Sequence, residues 1–238
     1  MSGQLDAELT ALLDAHGLDD SARARLRTLI DLLSTSAAPT SIHDPRDVVR
    51  VHIADSLAGL EVPELRAARD IADLGAGAGL PGLVLAATLP DAHVVLVESV
   101  SRKCAFLRAA AREMDLENAE VAWTRAEEWQ AGLEGCDVVC ARALAALAVL
   151  TEYAAPLLRD QGVLIAWKGA VWAEEAADGS AAAAQLGMRE EPVRSVTPFR
   201  GSERRTLHVL RKVAPTPAGF PRRPGMATKR PLSAKKPR

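Results

Sequence analysis

The stretch Ile71-Ala72-Asp73-Leu74-Gly75-Ala76-Gly77-Ala78-Gly79-Leu80-Pro81-Gly82 decides the fold of this chain of 238 residues. Its first four residues are typical of a short buried strand, and glycines follow at alternate positions. Glycine lets the backbone turn sharply and approach a ligand where a Cβ would clash, and a helix after the loop offers free N–H groups. The stretch therefore predicts a strand, a ligand-binding loop and a helix.

Two carboxylates accompany this loop. Asp73 directly precedes the glycines, where it would repel a dinucleotide's pyrophosphate but suits a ligand with an ammonium or sulfonium group. Glu98 ends the next apolar segment, 21 positions after Gly77. In α/β cofactor sites a carboxylate at about this distance accepts hydrogen bonds from ribose hydroxyls. Together these residues favour S-adenosylmethionine, which has both positive groups and a ribose.

Apolar segments and helical periodicity alternate along the chain from residue 69 onward. The apolar runs are rich in Val, Ile and Leu, as in parallel strands that helices cover on both faces. We predict a doubly wound, Rossmann-like α/β domain over residues 69–213. The predicted strands are 70–74, 93–98, 119–123, 137–141, 162–167 and 205–212, and the predicted helices after the second, fourth and fifth of them are 101–114, 144–155 and 174–185.

Residues 1–68 are expected to form a helical extension before this domain. Apolar residues recur at helical spacing in two segments, which His16-Gly17 separates. Asp44 and Pro45 are typical of the N-cap and first residue of a third helix. The recurring residues are Leu5, Leu9, Leu12 and Leu13, then Leu26, Leu29, Ile30 and Leu33, then Val48, Val49, His52, Ile53 and Leu57.

Positive charge is concentrated at the C-terminus. From Arg211 onward the chain has nine Lys or Arg residues and no Asp or Glu, although its formal net charge is -2. Lys and Arg near phosphates release condensed counterions, so a basic arm at 214–238 suits a polyanion such as RNA. Its prolines favour an extended backbone. The alternative is a solvated tail without a specific partner, and charge alone does not separate the two.

Several other classes of protein are disfavoured. Three cysteines, an odd number, argue against a disulfide framework and indicate reduced thiols. The spacing of Cys136 and Cys140 favours two positions of a buried strand over a zinc site, so we expect no metal. No apolar run approaches the roughly 20 residues that cross a bilayer, and the N-terminus lacks the features of a secretory signal. We therefore expect a soluble, cytoplasmic protein with no membrane partner.

Two further strand ends carry polar residues that extend the expected ligand site. The segment 124–127 follows the third strand, where the edge of an adenine would lie. Arg142 ends the fourth strand, at the crevice where open α/β sheets bind ligands, and its guanidinium offers several donors in a fixed fork. Glu127 and Arg142 can also be exposed charges that simply end strands, and only the glycine loop favours a ligand role.

From about Ser41 to Leu232 the chain resembles the small-subunit ribosomal RNA guanine-N7 methyltransferase family, also called glucose-inhibited division protein B. Two departures are Ala38-Pro39-Thr40-Ser41, where members usually have Asn-Leu-Thr, and Leu144, where a Phe is common. Neither alters the glycine loop. The resemblance rests on His52-Ile53-Ala54-Asp55-Ser56-Leu57, Asp73 to Gly82 with its Gly79-Leu80-Pro81-Gly82, Arg125-Ala126-Glu127-Glu128, Ala141-Arg142-Ala143, Trp167-Lys168-Gly169, Pro221-Arg222-Arg223-Pro224-Gly225 and Lys229-Arg230-Pro231-Leu232.

The resemblance implies a class I, S-adenosylmethionine-dependent methyltransferase that acts on N7 of a guanine in 16S ribosomal RNA, free or within the small ribosomal subunit. N7 already has a free lone pair, so the transfer requires alignment, and we assign no general acid or base. By resemblance the cofactor-binding residues are Gly75, Leu80, Ala126, Glu127 and Arg142, to which the residues themselves add Asp73, Gly77, Gly79 and Glu98. The expected RNA-binding residues are His52, Lys168, Arg222, Arg223, Lys229 and Arg230.

Two other functions stay open from the sequence. A nicotinamide-dependent oxidoreductase would share the glycine loop and Glu98, but Asp73 and the lack of a recognisable catalytic His or Tyr arrangement disfavour it. A non-catalytic RNA-binding protein would need only the basic arm, and the complete set of expected cofactor residues disfavours that function.

Overall fold

One mixed sheet of eight strands lies at the centre of the structure, a computed structural model that describes residues 2–234. The strands are β1 (Asp70–Leu74), β2 (His93–Glu98), β3 (Ala119–Trp123), β4 (Cys136–Arg142), β5 (Leu158–Lys168), β6 (Met188–Glu190), β7 (Arg194–Val196) and β8 (Arg205–Lys212). The α-helices are α1 (Ser2–His16), α2 (Asp20–Leu33), α3 (Pro45–Asp47), α4 (Asp55–Leu57), α5 (Pro63–Ala67), α6 (Gly82–Thr88), α7 (Ser101–Glu113), α8 (Leu147–Ala154), α9 (Ala173–Gln185) and α10 (Met226–Lys229).

The strand order is β3-β2-β1-β4-β5-β8-β6, and β7 pairs with β8. Strands β1 to β5 are parallel, whereas β8 runs antiparallel to β5 and pairs Thr206 with Lys168. The order reverses between β1 and β4, and open α/β sheets bind ligands in the crevice outside the carboxyl ends of such strands. We name this side of the sheet the carboxyl edge.

Backbone hydrogen bonds fix the loop between β1 and α6. The N–H groups of Gly75 and Ala76 both donate to the carbonyl oxygen of Val97 in β2, at 2.8 and 3.1 Å. Gly75 has a φ of +66°, which side chains with a Cβ rarely adopt. A Cβ at this position would also lie 2.6 Å from Cδ1 of Leu144. The backbone conformation and the close contact therefore both require glycine.

The third N-terminal helix changes type along its length. Asp44 caps it by accepting hydrogen bonds from the backbone N–H groups of Arg46 and Asp47. Between α3 and α4, the segment Val48–Ala54 is a π-helix. Such segments contain an extra residue in each hydrogen-bonded ring and occur frequently at functional sites. The π-helix and α4 together carry three buried polar residues, His52, Asp55 and Ser56.

The N-terminal helices share a hydrophobic core with one face of the sheet. Leu29 and Ile30 of α2 and Ile71 of β1 are fully buried members of the same cluster. On the other side of the helical layer, Arg211 of β8 forms an ion pair with Glu64 of α5. The helical extension is therefore packed onto the sheet and covers one of its faces.

The predicted strands and helices of the main domain are confirmed, with changes at their ends. Strands β4 and β5 are longer than predicted and change register between Cys136 and Val138. The helix predicted from residue 144 begins at Leu147. Strands β6 and β7 were not predicted, because each has only three residues and follows no apolar alternation. Within residues 2–234, no helix has both the length and the apolar character needed to span a bilayer.

The prediction of an extended C-terminal arm is wrong for residues 219–234, which we name the strap. Phe220 and Leu232 pack against the second hydrophobic cluster of the protein, and Ala227 is buried within it. The strap also contains helix α10. Its apolar residues are too far apart to form a periodic pattern, and charged residues lie between them. The sequence therefore did not indicate that this segment packs against the domain. The remaining cations of the predicted arm, Lys235, Lys236 and Arg238, lie outside the described residues.

Candidate functional site

Two cavities, each of about 320 Å³, lie side by side at the carboxyl edge. The first is bounded by residues that follow β1, β2 and β3, and the second by residues of the third N-terminal helix and the ends of β4 and β5. Ala143 lines both cavities and has a φ of 53°. This conformation costs a residue with a Cβ about 1 to 2 kcal/mol. The backbone between the cavities is therefore strained.

Four of the predicted cofactor-binding residues line the first cavity, namely Gly75, Glu98, Ala126 and Glu127. Glu98 is the best anchored of them. Its Oε2 accepts a hydrogen bond from the N–H of Gly77 at 3.1 Å, and its Oε1 accepts one from the N–H of Val100 at 2.8 Å. A carboxylate offers about four acceptor positions, so positions remain for a ligand. The spacing of Glu98 after the loop correctly predicted their contact.

The other predicted loop residues act behind the cavity wall. Gly77 donates to Glu98, whereas Gly79 and Leu80 line neither cavity. A Cβ on Gly79 would lie 2.2 Å from Cδ1 of Leu83, and Leu80 belongs to the hydrophobic core. These two residues therefore shape the loop from behind.

Asp73 also lies beneath the loop and lines neither cavity. It is 1% exposed, and its Oδ2 accepts a hydrogen bond from the N–H of Gly82 at 2.9 Å. Its Oδ1 has no hydrogen-bond partner among the described residues. Burial raises the pKa of Asp73 to about 7, since a low-dielectric environment disfavours the carboxylate. The direct effect of this side chain is to hold the start of α6 against the end of β1.

A buried carboxylate organises the second cavity. Asp55 is 1% exposed, and its Oδ2 lies 2.7 Å from Nη1 of Arg142 at the end of β4. Its Oδ1 lies 3.4 Å from Nε of Arg205 at the start of β8. The backbone carbonyl of Asp55 accepts a hydrogen bond from the indole N–H of Trp167 in β5 at 2.8 Å. Arg142, predicted as a cofactor-binding residue, thus lines the second cavity and not the first.

His52 lies next to Arg142 in the second cavity. Its Nδ1 is 3.2 Å from Nη2 of Arg142, and its Nε2 is 2.9 Å from Oγ1 of Thr40. Because guanidinium can only donate, Nδ1 accepts and Nε2 carries the proton. Burial and the positive charge of Arg142 lower the pKa of His52 to about 4. The imidazole is therefore neutral at neutral pH and orients the arginine.

Lys168, a predicted RNA-binding residue, also lines the second cavity. Its Nζ lies 2.6 Å from Oε1 of Glu175 in α9 and donates to the carbonyl oxygen of Ala145 at 3.1 Å. The ammonium group therefore has a carboxylate partner within the protein. It also connects the end of β5 to the segment after β4.

The strap contacts two residues that line the first cavity. The N–H of Gly225 donates to Oε1 of Glu127 at 2.9 Å, and the hydroxyl groups of Thr228 and Tyr153 lie 3.2 Å apart. Glu127 and Tyr153 both line the cavity. The orientation of these two side chains therefore depends on residues 98 positions after Glu127 and 75 positions after Tyr153 in the chain.

The four described cations predicted for the strap fall into two groups. Arg222 donates two hydrogen bonds to the carboxylate of Glu152, which is 1% exposed in α8. Arg223, Lys229 and Arg230 have exposed side chains. Arg222 therefore attaches the strap to the domain, and the other three are accessible to a partner.

Sequence reasoning did not assign Asp55, Arg205 or Tyr153 to a site. For Asp55 a signal exists, because a charged residue in an apolar helical pattern has to find a buried partner. Arg205 and Tyr153 carry no comparable signal. Cys136 and Cys140 are buried, and burial raises the pKa of Cys136 to about 12. This thiol is therefore unreactive at neutral pH.

The chain is similar to methyltransferases of small-subunit ribosomal RNA. The family model described as "GidB: rRNA small subunit methyltransferase G" matches residues 24–205. A relative from Pelotomaculum thermopropionicum, "Ribosomal RNA small subunit methyltransferase G", is 42% identical over 199 residues, which are 81% of this chain and 82% of that protein. A relative of the same name from Roseiflexus sp. is 41% identical over 226 residues, 92% of this chain and 94% of that protein.

Solved structures with similar folds agree with the class of the sheet. A "SAM dependent methyltransferase" from Aquifex aeolicus gives a TM-score of 0.56 at 13% identity and covers 71% of this chain and 94% of its own. Aeropyrum pernix fibrillarin, solved with S-adenosylmethionine, gives a TM-score of 0.53 at 21% identity and covers 66% of this chain and 72% of its own. These structures establish the class I, Rossmann-like methyltransferase fold.

We predict that Asp73 makes stability depend on pH. Because the pKa of Asp73 is raised to about 7, the folded state holds a proton that the unfolded chain releases near pH 4. The stabilisation of the folded state by this proton is lost as the pH rises from about 4 to about 7. The Asp73→Asn variant keeps an oxygen that accepts from Gly82 N–H, and its amide does not titrate. Its free energy of unfolding should therefore increase relative to that of the wild type as pH rises.

Urea unfolding at about pH 5 and about pH 8 measures this difference. Asp91→Asn, at an exposed carboxylate, is the matched control and should follow the wild type at both values. The same pH dependence in Asp73→Asn and wild type would show that Asp73 is ionised throughout this range.

Proposed function

The chain belongs to the rRNA small subunit methyltransferase G family, and we propose which of its two cavities binds the cofactor and which binds the target guanine. The protein is an S-adenosylmethionine-dependent methyltransferase of 16S ribosomal RNA, with N7 of a guanine as the acceptor. The observation that carries the proposal is the pair of adjacent cavities that share the strained residue Ala143. The first would bind the cofactor, and the second would bind the guanine.

The residues of the first cavity fit S-adenosylmethionine. Glu98 has acceptor positions left for ribose hydroxyls, and Gly75 leaves a cradle that a Cβ would fill. Ala126 and Glu127 follow β3, where the adenine edge is expected in this class of fold. Asp73 accepts a hydrogen bond from Gly82 N–H and so supports the loop that bounds this cavity from behind. When bound, the cofactor supplies an electrophilic methyl group.

The second cavity offers the donors that a guanine requires. Arg142 and Arg205 present guanidinium groups, and the common acceptor for arginine on guanine is the O6 and N7 edge. Since N7 must stay free to react, we assign these donors to O6 and to the phosphate or ribose. Asp55 fixes both arginines, so it is a positioning residue that does not touch the RNA.

The proposed reaction needs no proton transfer before the bond forms, because N7 of guanine carries an unprotonated lone pair. The residues therefore act by alignment, which accounts for a large share of the barrier reduction in many reactions between two bound molecules. The low pKa of His52, about 4, agrees with this division of roles. A neutral imidazole that accepts a hydrogen bond from Arg142 orients the arginine and is not available there as a base.

We further propose that residues 69–213 carry the cofactor site, while 1–68 and 214–238 complete the substrate site. The contacts of His52 and Asp55 with Arg142 support the assignment of 1–68 to the substrate site. The exposed Arg223, Lys229 and Arg230 of the strap support the assignment of 214–238 to it. A protein that modifies ribosomal RNA works where ribosomes assemble, so we propose a cytoplasmic location. The fully assembled small subunit, an assembly intermediate and free 16S ribosomal RNA are the candidate substrates.

Labelled S-adenosylmethionine and small subunits from cells that lack this protein provide the direct test of function. We expect the label in 16S ribosomal RNA, at one guanine, as a positively charged N7-methyl base. Free 16S ribosomal RNA and isolated intermediates run in parallel would identify the substrate form. Label in protein, or at an exocyclic amine or ribose, would contradict the assignment of N7.

Glu98→Gln should weaken the binding of S-adenosylmethionine by about 1 to 3 kcal/mol, the usual loss for hydrogen bonds to a charged group. The variant keeps the volume of the side chain and one carbonyl oxygen. Isothermal titration calorimetry measures the affinity, and Glu117→Gln at an exposed position is the matched control. An unchanged affinity in a folded Glu98→Gln variant would remove Glu98 from the cofactor site.

The strap cations should separate into structural and RNA-binding groups. Replacing the exposed Arg223, Lys229 and Arg230 together by Gln should lower RNA affinity and reduce the slope of log K against log salt by about 2. Cofactor affinity should not change.

Arg222→Gln instead leaves the buried Glu152 unpaired, so we expect a lower melting temperature and weaker cofactor binding. Filter binding at several salt concentrations, calorimetry and thermal unfolding distinguish these results. An unchanged salt slope in the triple variant would show that these three cations do not bind RNA.

A further inference from the structure

Two loops beside the second cavity carry side chains that the proposed chemistry does not use. One is the loop 169–172 between β5 and α9, and the other is the loop 197–204 between β7 and β8. Gly169 and Arg205, at the ends of these loops, both line the second cavity. Oγ1 of Thr206 donates to the carbonyl oxygen of Gly169 at 3.2 Å. The loops are therefore neighbours at the carboxyl edge, and we name them together the basic rim.

The indole of Trp172 is the most prominent feature of the basic rim. Its relative exposure is 79%, the highest among the large apolar side chains of residues 2–234. Its neighbour Val171 packs against the second hydrophobic cluster, and the carbonyl oxygen of Trp172 accepts the hydrogen bond from Ala176 N–H that starts α9. The backbone is thus anchored on both sides while the ring faces solvent. A large aromatic ring left in water at a fixed position is typical of a binding surface.

The basic rim carries more positive than negative charges. Arg200 and Arg204 are exposed, and neither forms an ion pair within the described chain. The acidic residue of the same loop, Glu203, accepts a hydrogen bond from Gly201 N–H at 3.1 Å. Glu174, on the first turn of α9, also has an interaction partner. Arg200 and Arg204 therefore have no ion-pair partner among the described residues, in a loop that meets the loop of Trp172 near the contact between Thr206 and Gly169.

An exposed indole beside free guanidinium groups fits unpaired RNA. Bases of single strands stack on aromatic rings and their phosphates pair with Arg, whereas a double helix keeps the faces of its bases covered. We propose that the basic rim binds an unpaired RNA segment next to the target guanine, with Trp172 stacked on a base and Arg200 and Arg204 on phosphates. This inference rests on the proposed function, because it takes the second cavity as the guanine site.

The chain geometry limits where the stacked base lies. Three peptide units separate Gly169 from Trp172, so their Cα atoms are at most about 11 Å apart. One strand of a helical nucleic acid rises about 3.4 Å per nucleotide. The base on Trp172 therefore lies within about three nucleotides of the guanine in the second cavity, and the RNA flanking that guanine is unpaired when it is bound.

Variants of Trp172 test the stacking contact on the whole chain. Trp172→Ala should weaken binding of a short unpaired RNA oligonucleotide by roughly 5- to 150-fold, the range that stacking on an aromatic ring provides. Trp172→Phe keeps a ring and should bind close to the wild type. Addition of the oligonucleotide should quench the tryptophan fluorescence of the wild type, and the Phe variant should lose this quenching while it still binds.

Variants of the arginines test the phosphate contacts. Arg200→Gln with Arg204→Gln should reduce the slope of log K against log salt by about 1.4, as for two phosphate contacts on a single strand. Arg112→Gln is the matched control, because Arg112 is exposed near the end of α7, at the opposite edge of the sheet. All variants should bind S-adenosylmethionine with wild-type affinity and melt at the wild-type temperature.

The outcomes separate this inference from the proposed function. Wild-type affinity for the oligonucleotide in Trp172→Ala, or equal quenching of the wild type by a duplex of the same length, would overturn the stacking contact. Unchanged oligonucleotide binding with poorer methylation of small subunits would assign the basic rim to a ribosomal protein and would also overturn the inference. Failure of the wild type to bind S-adenosylmethionine or to methylate subunits would contradict the proposed function, whatever the oligonucleotide results.

Discussion

The buried carboxylate of Asp55 is the interaction on which the arrangement of the site depends, because it joins the N-terminal helices to the ends of three strands. Its oxygens pair with Arg142 and Arg205, and its backbone carbonyl accepts from Trp167. Removing one partner of a buried ion pair costs about 3 to 5 kcal/mol, since the remaining charge is left in a medium of low dielectric. The same contacts therefore form the second cavity and attach the N-terminal helices to the sheet. Without the N-terminal extension, the second cavity would lose part of its lining.

Local patterns predicted most of the fold, because the strands on either side of the glycine loop are apolar runs, whereas β6 and β7 are too short and polar to be recognised. The contact between Glu98 and the loop could be predicted for the same reason, as a fixed spacing within one strand–helix–strand unit. The position of Arg142 could not, because its partner Asp55 is 87 residues away and nothing local indicates which side of β4 the guanidinium takes. The packing of the strap could not be predicted, because its apolar residues are few and lie among many charges. Aromatic residues are rare in this chain, so the sequence indicated the basic arm and not Trp172 as the RNA contact.

The strap holds lining residues of the first cavity from outside the α/β domain. Glu127 follows β3 directly, yet one of its carboxylate oxygens is held by the backbone of Gly225. Buried polar groups of this kind favour one conformation, because an alternative leaves an acceptor unsatisfied. Arg222 secures the strap through Glu152, which itself lies in α8 behind Tyr153. Exposed cations and residues that contact the lining of the first cavity therefore alternate along one short segment.

The π-helix Val48–Ala54 makes the length of the third N-terminal helix as important as its sequence. A regular α-helix advances by about 100° per residue, so the loss or gain of one residue within it rotates everything that follows by that angle. Asp55 comes directly after the π-helix and must still meet two arginines in the sheet. A single-residue insertion or deletion between 48 and 54 would point its carboxylate away from both.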